Sequence, residues 1–345
     1  MAEYIFVYGT LLKGESYNSL LKGCILKEYI SIPGILYDTG SGFPAAYLKN
    51  NTDSRIYGEL YRLPPNDEKI LHGVDFYEGM PSGLFKRNTI KINNENCLIY
   101  NIKDPELLID WEEIKSGSWL EFCKNIKTDP LSFALNFENS HKYYYRHLTK
   151  DSIVTLPGSS KILVSAPHAT NHIRLNKVKI FERYTAAVAS LMHSIVGTSS
   201  VYTNSVSITD PNYYDQCEFK QSLEEFSRRS TQHFVLDIHG TGENRKYDIY
   251  PGIGRNMEFL LGNSEILEDL TDSAVKFGIK CGGLDKFPAS KQQTVTKYCA
   301  SKLGIPSMQL EINKKYRRPD KYPEKFLKLI DFLKDFLEKI KKRNE

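Results

Sequence analysis

The sequence predicts two domains of different class. Residues 1–127 read as an α+β domain with a small, barrel-like mixed sheet. Residues 128–345 read as an α/β domain with a mostly parallel sheet. Three observations predict this. The chain has 345 residues, 41% hydrophobic and 26% charged, which is ordinary globular composition at a length that suits two cores. Its first third holds short β-rich runs divided by turn residues, with few helical periods. The remainder alternates apolar strand runs with amphipathic, helix-length segments, the rhythm of a parallel sheet covered by helices.

Composition narrows the function classes. The net charge of +4 is mild, and only the tail KIKKRNE gathers basic residues, so no nucleic-acid partner is predicted. No run approaches 18 apolar residues, so no membrane span is predicted. MAEYIFVYGT has neither a basic leader nor a long apolar core, so no signal peptide is predicted. The cysteines at 24, 97, 123, 217, 281 and 299 lack CxxC spacing and read as reduced thiols. Together these features predict a cytoplasmic protein.

In the first domain, Glu3–Tyr8 is a short strand of strong β formers that stops at Gly9-Thr10-Leu11. Gly9 suits a positive φ or a close approach of the backbone to a ligand. Further strands are predicted at Ile35–Tyr37, Ile56–Arg62, Asn88–Ile92 and Cys97–Ile102. The turns Thr39-Gly40-Ser41-Gly42, Pro64-Pro65-Asn66-Asp67 and Asn93-Asn94-Glu95-Asn96 divide them. Asn18–Lys27 and Asp67–Gly73 are short helix candidates.

The ordered set Tyr8-Gly9-Thr10-Leu11, Asn18, Gly34, Pro44-Ala45-Ala46, Gly58-Glu59-Leu60-Tyr61, Asp75-x-x-Glu78-Gly79 and Arg87 resembles the gamma-glutamylcyclotransferase-like family over about the first 120 residues. The resemblance implies a reaction in which the α-amine of a γ-glutamyl group attacks its own γ-carbonyl, giving 5-oxoproline and a free amine. Glu78 would move the proton from attacking amine to leaving group. The backbone N–H groups of Tyr8, Gly9, Thr10 and Leu11 would hold the glutamyl α-carboxylate. Val74 and Phe85 depart from the family's usual leucine and tyrosine, and the hydroxyl missing at Phe85 bears on substrate choice.

Asp129–Ser160 is mixed. His141–His147 interleaves basic and aromatic residues, a pattern for nucleic-acid binding, but so short a stretch more often packs at a domain seam. Strand–helix alternation follows. Strands are predicted at 161–166, Thr198–Tyr202, His233–His239 and Pro306–Ile312. Helices are predicted at Phe181–Val196, Glu218–Arg229, Asn263–Gly278, Gln293–Lys302 and Pro323–Lys342, where Phe326, Ile330, Leu333, Leu337 and Ile340 share one face.

Three of these apolar strands each deliver an ionisable residue: His168 after KILVSAP, His239 at the end of HFVLDIH, and Glu311 in SMQLEI. Burying such groups without partners is costly, so one shared site is the economical reading. A metal held by two histidines and a carboxylate, beside a free glutamate acting as base, fits best. His168 and His239 are the strongest ligands. Asp237 faces the same side as His239 and suits its second ring nitrogen. For the third ligand, Glu182 competes with His172, and Glu182 leaves a hard, open zinc site.

Ser165-Ala166-Pro167-His168, Arg174, Glu182-x-x-Thr185, Asp237-Ile238-His239-Gly240 and Gln309-Leu310-Glu311 resemble the N-formylglutamate amidohydrolase-like group, relatives of zinc carboxypeptidases and poly-gamma-glutamate hydrolases. The carboxypeptidase HxxE spacing is absent, because Asn171 stands three residues after His168. The resemblance implies one zinc ion, Glu311 as general base, and Arg174 on the oxyanion or a substrate carboxylate. Arg317 or Arg318 would serve the same carboxylate. Both resemblances converge on a small glutamyl amide or short peptide as substrate of a bifunctional enzyme.

Overall fold

The computed structural model describes residues 3–15, 17–39, 43–65, 68–78, 84–140 and 153–343. The turn Gly40–Gly42, Gly79 and the His141–His147 stretch lie outside them. The chain divides into two compact units, Met1–Asn125 and Ile126–Glu345.

The first unit runs β1 (Tyr4–Val7), β2 (Ile25–Pro33), β3 (Ile35–Asp38), β4 (Pro44–Tyr47), β5 (Arg55–Arg62), α1 (Glu68–Tyr77), β6 (Phe85–Ile92), β7 (Glu95–Ile102), β8 (Glu112–Glu113) and the start of α2 (Trp119–Thr128). Its strands lie in a five-stranded sheet of order β2-β5-β1-β7-β6 and a three-stranded sheet of order β4-β3-β8. The larger sheet is mixed: β1 pairs parallel with β7, and the other pairs are antiparallel. Ile5, Val7, Ile56, Leu60, Val74, Ile99 and their neighbours form one apolar core.

The helix expected over Asn18–Lys27 is instead a single 3₁₀ turn, Asn18–Leu21, followed by β2. Gly23 at φ +100° ends the turn, and the β-forming residues from Ile25 onward pair with β5. The expected Asp67–Gly73 helix is α1, which runs on through Tyr77. That extra turn brings Glu78 to the helix end.

The second unit runs from the end of α2 through α3 (Pro130–Ser140), β9 (Ile153–Leu156), β10 (Ile162–Ala166), β11 (His172–Arg174), β12 (Lys177–Lys179), α4 (Thr185–Val196), β13 (Ser199–Thr203), α5 (Glu218–Arg229), β14 (Phe234–Thr241), β15 (Ile249–Gly252), α6 (Glu265–Lys276), α7 (Val295–Leu303), β16 (Ser307–Asn313), α8 (Lys314–Arg317) and α9 (Pro323–Arg343). Six strands form one sheet of order β15-β16-β14-β10-β13-β9. The four central strands are parallel, and the edge strands β15 and β9 run antiparallel to them.

Helices cover both faces of this sheet. Successive strand residues point to opposite faces. Val235 packs with Leu223 of α5 and Val295 of α7, whereas Phe234 meets Phe336 of α9 edge-on, with ring centroids 5.9 Å apart. Eight apolar side chains of α9, from Phe326 to Ile340, are buried, each stabilising by about 1.5–3 kcal/mol. This arrangement makes the carboxyl ends of the parallel strands the open edge, where ligands of such sheets bind. No described helix is long and apolar enough to cross a membrane.

Candidate active sites

In the first unit, β1 hands over to a tight turn. Tyr8 is buried, and its hydroxyl donates to the Tyr100 carbonyl at 2.6 Å. Gly9 is required by close approach: a Cβ there would lie 2.7 Å from Pro44 Cγ. The amide of Leu12 donates to the Gly9 carbonyl (2.9 Å) and that of Tyr17 to the Thr10 carbonyl (3.0 Å), so both carbonyls are engaged within the turn. Beneath it sits Glu59, 1% exposed, which accepts from the Lys13 amide and the Tyr61 hydroxyl, each at 2.8 Å. Glu59 stood in the sequence only as part of a motif. Its buried carboxylate anchors the turn.

The helix end meets this turn. The hydroxyls of Tyr77 and Thr10 are 2.6 Å apart, and Tyr17 packs on the Tyr77 ring at 3.9 Å between centroids. Glu78 follows at once, its amide still bonded to the Val74 carbonyl at 2.8 Å. Burial, and then the charge of Asp75, push the Glu78 carboxyl up to about 8. Asp75 itself accepts from Arg87 (2.7 Å) and the Tyr100 hydroxyl (2.6 Å). Burial also raises the Tyr8 and Tyr77 phenols well above their usual range, with Glu78 adding to both, so they are neutral donors. A carboxyl titrating near neutrality beside such donors is equipped for proton transfer.

In the second unit, the open edge of the sheet gathers His168, His172, Glu182, Asp210, Asp237, His239 and Glu311. His168 follows β10, His239 lies in β14, and Glu311 lies in β16 opposite His239 in the parallel ladder. Glu182 reaches them from the turn before α4. Its Oε1 is 3.3 Å from His168 Nδ1, and its Oε2 is 3.2 Å from His239 Nδ1. The Gly240 amide donates to the same Oε2 at 2.7 Å.

Each histidine turns its other nitrogen outward to a carboxylate. His168 Nε2 is 3.0 Å from Asp210, and His239 Nε2 is 3.2 Å from Asp237 and 2.9 Å from the Asn212 side chain. Asp237 is fixed in turn by Ser165 at 2.7 Å. Carboxylates on the far nitrogens are the usual support of metal-binding imidazoles.

The charges agree with that arrangement. Burial opposes the Glu182 charge, but His239 and His168 outweigh it and hold the carboxyl well below its usual range. Burial likewise opposes protonation of the histidines. Glu182 and Asp210 nonetheless raise His168, and Asp237 and Glu182 raise His239 well above its usual range. The carboxylates around them thus favour positive charge on the two imidazoles, which in turn hold Glu182 ionised. Glu182 is 21% exposed where His239 is 2% exposed, so the group opens on the carboxylate side. Glu311 accepts from Gln309 at 3.1 Å, and burial pushes it up to about 7 against the pull of His239.

Ligand-type atoms of His168, Glu182 and His239 lie within 4.8 Å of one another, and so do those of His168, His172 and Asp210. The two groups are not equivalent. Both Arg174 Nε and Nη2 sit 2.5 Å from Asp210 Oδ2, so a cation in the second group would face a guanidinium. His172 stacks on the His168 ring at 4.0 Å, and burial and the His168 charge lower it to about 4. Glu182 is the residue that lies with both His168 and His239, whereas His172 groups with His168 and Asp210. The donor set, two imidazoles and one carboxylate, fits zinc.

The three arginines expected to meet substrate each have a partner within the protein. Arg174 is engaged with Asp210. Arg317 is buried, donating from Nε to the Ile312 carbonyl (3.1 Å) and from Nη1 to the Arg183 carbonyl (2.6 Å). Arg318 pairs with Asp320. Asp210 and Asn212 went unnoticed in the sequence, although Asp210-Pro211-Asn212 is a turn signal just beyond a strand that ends at the same edge.

Residues 5–121 match the family model described as gamma-glutamyl cyclotransferase, AIG2-like. The gamma-L-glutamyl-butirosin B gamma-glutamyl cyclotransferase of Niallia circulans is 30% identical over 122 residues, covering 32% of this chain and 76% of that protein. Among solved structures, protein ytfP of Escherichia coli is 27% identical, with a TM-score of 0.28, covering 34% of this chain and 97% of that one. A bacteriophage poly-gamma-glutamate hydrolase is 16% identical, with a TM-score of 0.39, covering 56% of this chain and 92% of that one.

Proposed function

The chain belongs, through residues 5–121, to the gamma-glutamyl cyclotransferase, AIG2-like, family, and from that premise we propose that its first unit cyclises a γ-glutamyl amide to 5-oxoproline, releasing the amine. The observation that carries this is Glu78, whose carboxyl titrates near 8 at a helix end bonded to the Tyr8–Leu11 turn. Glu78 takes a proton from the substrate α-amine as that nitrogen attacks the γ-carbonyl. It then returns the proton to the leaving nitrogen as the C–N bond breaks. The turn's backbone amides orient the glutamyl α-carboxylate. Incubation with a γ-glutamyl amide should yield 5-oxoproline and free amine one to one. Glu78→Gln should be slower by about 10²-fold or more.

The second unit we read as a zinc-dependent amide hydrolase acting on a substrate with a glutamate-like carboxylate. Support comes from the two imidazoles that turn Nδ1 toward one carboxylate and Nε2 toward others. His168, Glu182 and His239 would hold the ion. Zinc there would supply Lewis acidity toward a carbonyl and toward water. Glu311, held by Gln309, takes the proton of the attacking water and delivers it to the departing amine. Metal analysis tests this reading: about one zinc per chain is expected, as for a single catalytic site. Retention of full zinc by His168→Ala/His239→Ala would overturn it.

A further inference from the structure

Glu182 is aimed from a segment that has no regular structure of its own. Its amide donates to the His168 carbonyl at 2.8 Å, and its carbonyl accepts from the Thr185 hydroxyl at 2.8 Å. Two residues later Tyr184, a buried aromatic, stands at φ +66°, ψ +4°. Left-handed backbone is strained for a residue with a Cβ and persists only where neighbours over-determine it. The Arg183–Tyr184 peptide is in fact gripped on both sides. Its N–H donates to Glu138 Oε2 at 3.1 Å, and its carbonyl accepts from Arg317 Nη1 at 2.6 Å.

Both gripping groups are buried. Glu138 of α3 is 1% exposed and also accepts from Arg183 Nε at 3.0 Å. Arg317 is anchored by its second bond, to the Ile312 carbonyl of β16. It lies against Gly240, where a Cβ would fall 2.2 Å from its Cζ. Gly240 is the residue whose amide donates to Glu182. One guanidinium thus ties the end of β16 and the Glu182 turn together, and passes over the Gly240 backbone that directs the Glu182 carboxylate.

We propose that Glu138 and Arg317 are positioning residues that clamp the Arg183–Tyr184 peptide and so aim Glu182 at His168 and His239. The inference rests on the zinc reading of the second unit. It predicts that removing either grip loosens the ligand without removing it.

Zinc titration of the full chain, in a competitive chelator buffer, tests this. Glu138→Ala should weaken zinc about 10-fold or more, the scale of lost outer-shell support. Glu138→Gln keeps a carbonyl oxygen for the Tyr184 amide and should stay within roughly threefold of wild type. Cobalt(II) in place of zinc gives a readout that a merely structural role would not move. The visible absorption should shift in Glu138→Ala and match wild type in Glu138→Gln. If Glu138→Ala does not fold, Arg317→Lys carries the test, because an ammonium cannot span both carbonyls. It should weaken zinc by about fivefold or more. Wild-type affinity in Glu138→Ala or Arg317→Lys, while wild type itself binds zinc, overturns the clamp alone. Failure of wild type to bind zinc overturns the zinc reading and the clamp with it.

Discussion

The pH dependence of cyclisation follows from the neighbours of Glu78. Burial raises its carboxyl most, Asp75 adds to it, and the result is about 8. A base must be ionised to act, so at pH 7 only roughly one-tenth of the enzyme is competent, and kcat/KM should rise about tenfold per pH unit below 8. Asp75→Asn removes the smaller cause and leaves burial in place. It should therefore move the break down by about half a unit to one unit and raise the rate at pH 7 by roughly three- to sixfold. Arg87, the partner left behind, is 35% exposed and reaches water, so the fold should tolerate the change.

Release of amine from a chromogenic γ-glutamyl anilide gives the profiles. The substrate amine titrates identically in both, so the difference between them belongs to the enzyme. Stability supplies an independent check. The folded-state pKa of Glu78 lies above its ordinary 4.5, so its contribution to stability is complete below about pH 4.5 and is lost as pH rises through about 8. Glu78→Gln should melt higher than wild type by a margin that widens across that window. Superimposable profiles for wild type and Asp75→Asn, or a break near pH 4.5, would refute the assignment of Glu78 as a buried base.

Three further outcomes concern the second unit. Glu311→Gln should retain zinc and lose amide hydrolysis by about 10²-fold or more, whereas Glu182→Gln should lose zinc affinity; metal content measured beside rate separates them, and the reverse pattern exchanges the two roles. A chelator should abolish hydrolysis and leave 5-oxoproline formation intact, because among the described residues no cluster of three ligand-type side chains lies at Glu78; parallel loss of both activities at equal chelator concentration contradicts this. Asp210→Asn strips the buried partner from Arg174 and His168, which should cost about 3 kcal/mol, lower the melting temperature by roughly 6–12 °C and weaken zinc about 10-fold or more; unchanged melting and affinity would remove Asp210 from the site.

Much of this was legible because it is local. Strands such as Ile162–Ala166 and Phe234–Thr241 announce themselves as apolar β runs; His168 follows the first by two residues, and His239 lies near the end of the second. The Tyr8–Leu11 turn and Glu78 were readable as a motif, because their spacing is set by one strand and one helix end. Other features were not legible, for different physical reasons. β2 is an edge strand with Ile25 and Tyr29 exposed, so its sequence lacks the buried alternation that would mark it. Arg174 and Arg317 look like substrate ligands as isolated charges. Only the fold shows that Asp210, Ile312 and Arg183 take part of their donor sets. Glu138 lies 44 residues before Glu182, and nothing local connects a helix carboxylate to a turn that far along the chain.

Three glutamates show why environment, not residue type, assigns the roles. Glu78, Glu182 and Glu311 all lose solvent, and in each case burial alone would raise the carboxyl. At Glu78 the neighbouring charge is another carboxylate, so the two effects add and the group becomes a base near neutrality. At Glu182 two imidazoles reverse the sign, and a carboxyl held that far down is a poor base at any physiological pH but a permanent anion suited to a cation. Glu311 stands between them: His239 pulls it down, Glu182 pushes it up, and it settles near 7. The second unit therefore holds one carboxylate fixed in its charge and another free to exchange a proton, on adjacent sides of the same histidine. That division, an ionised carboxylate beside a titrating one, is the pattern expected of the amide hydrolase proposed for the second unit. Both depend on His239: with His239→Ala, Glu182 and Glu311 each lose the charge that pulls them down most, and both carboxyls should rise.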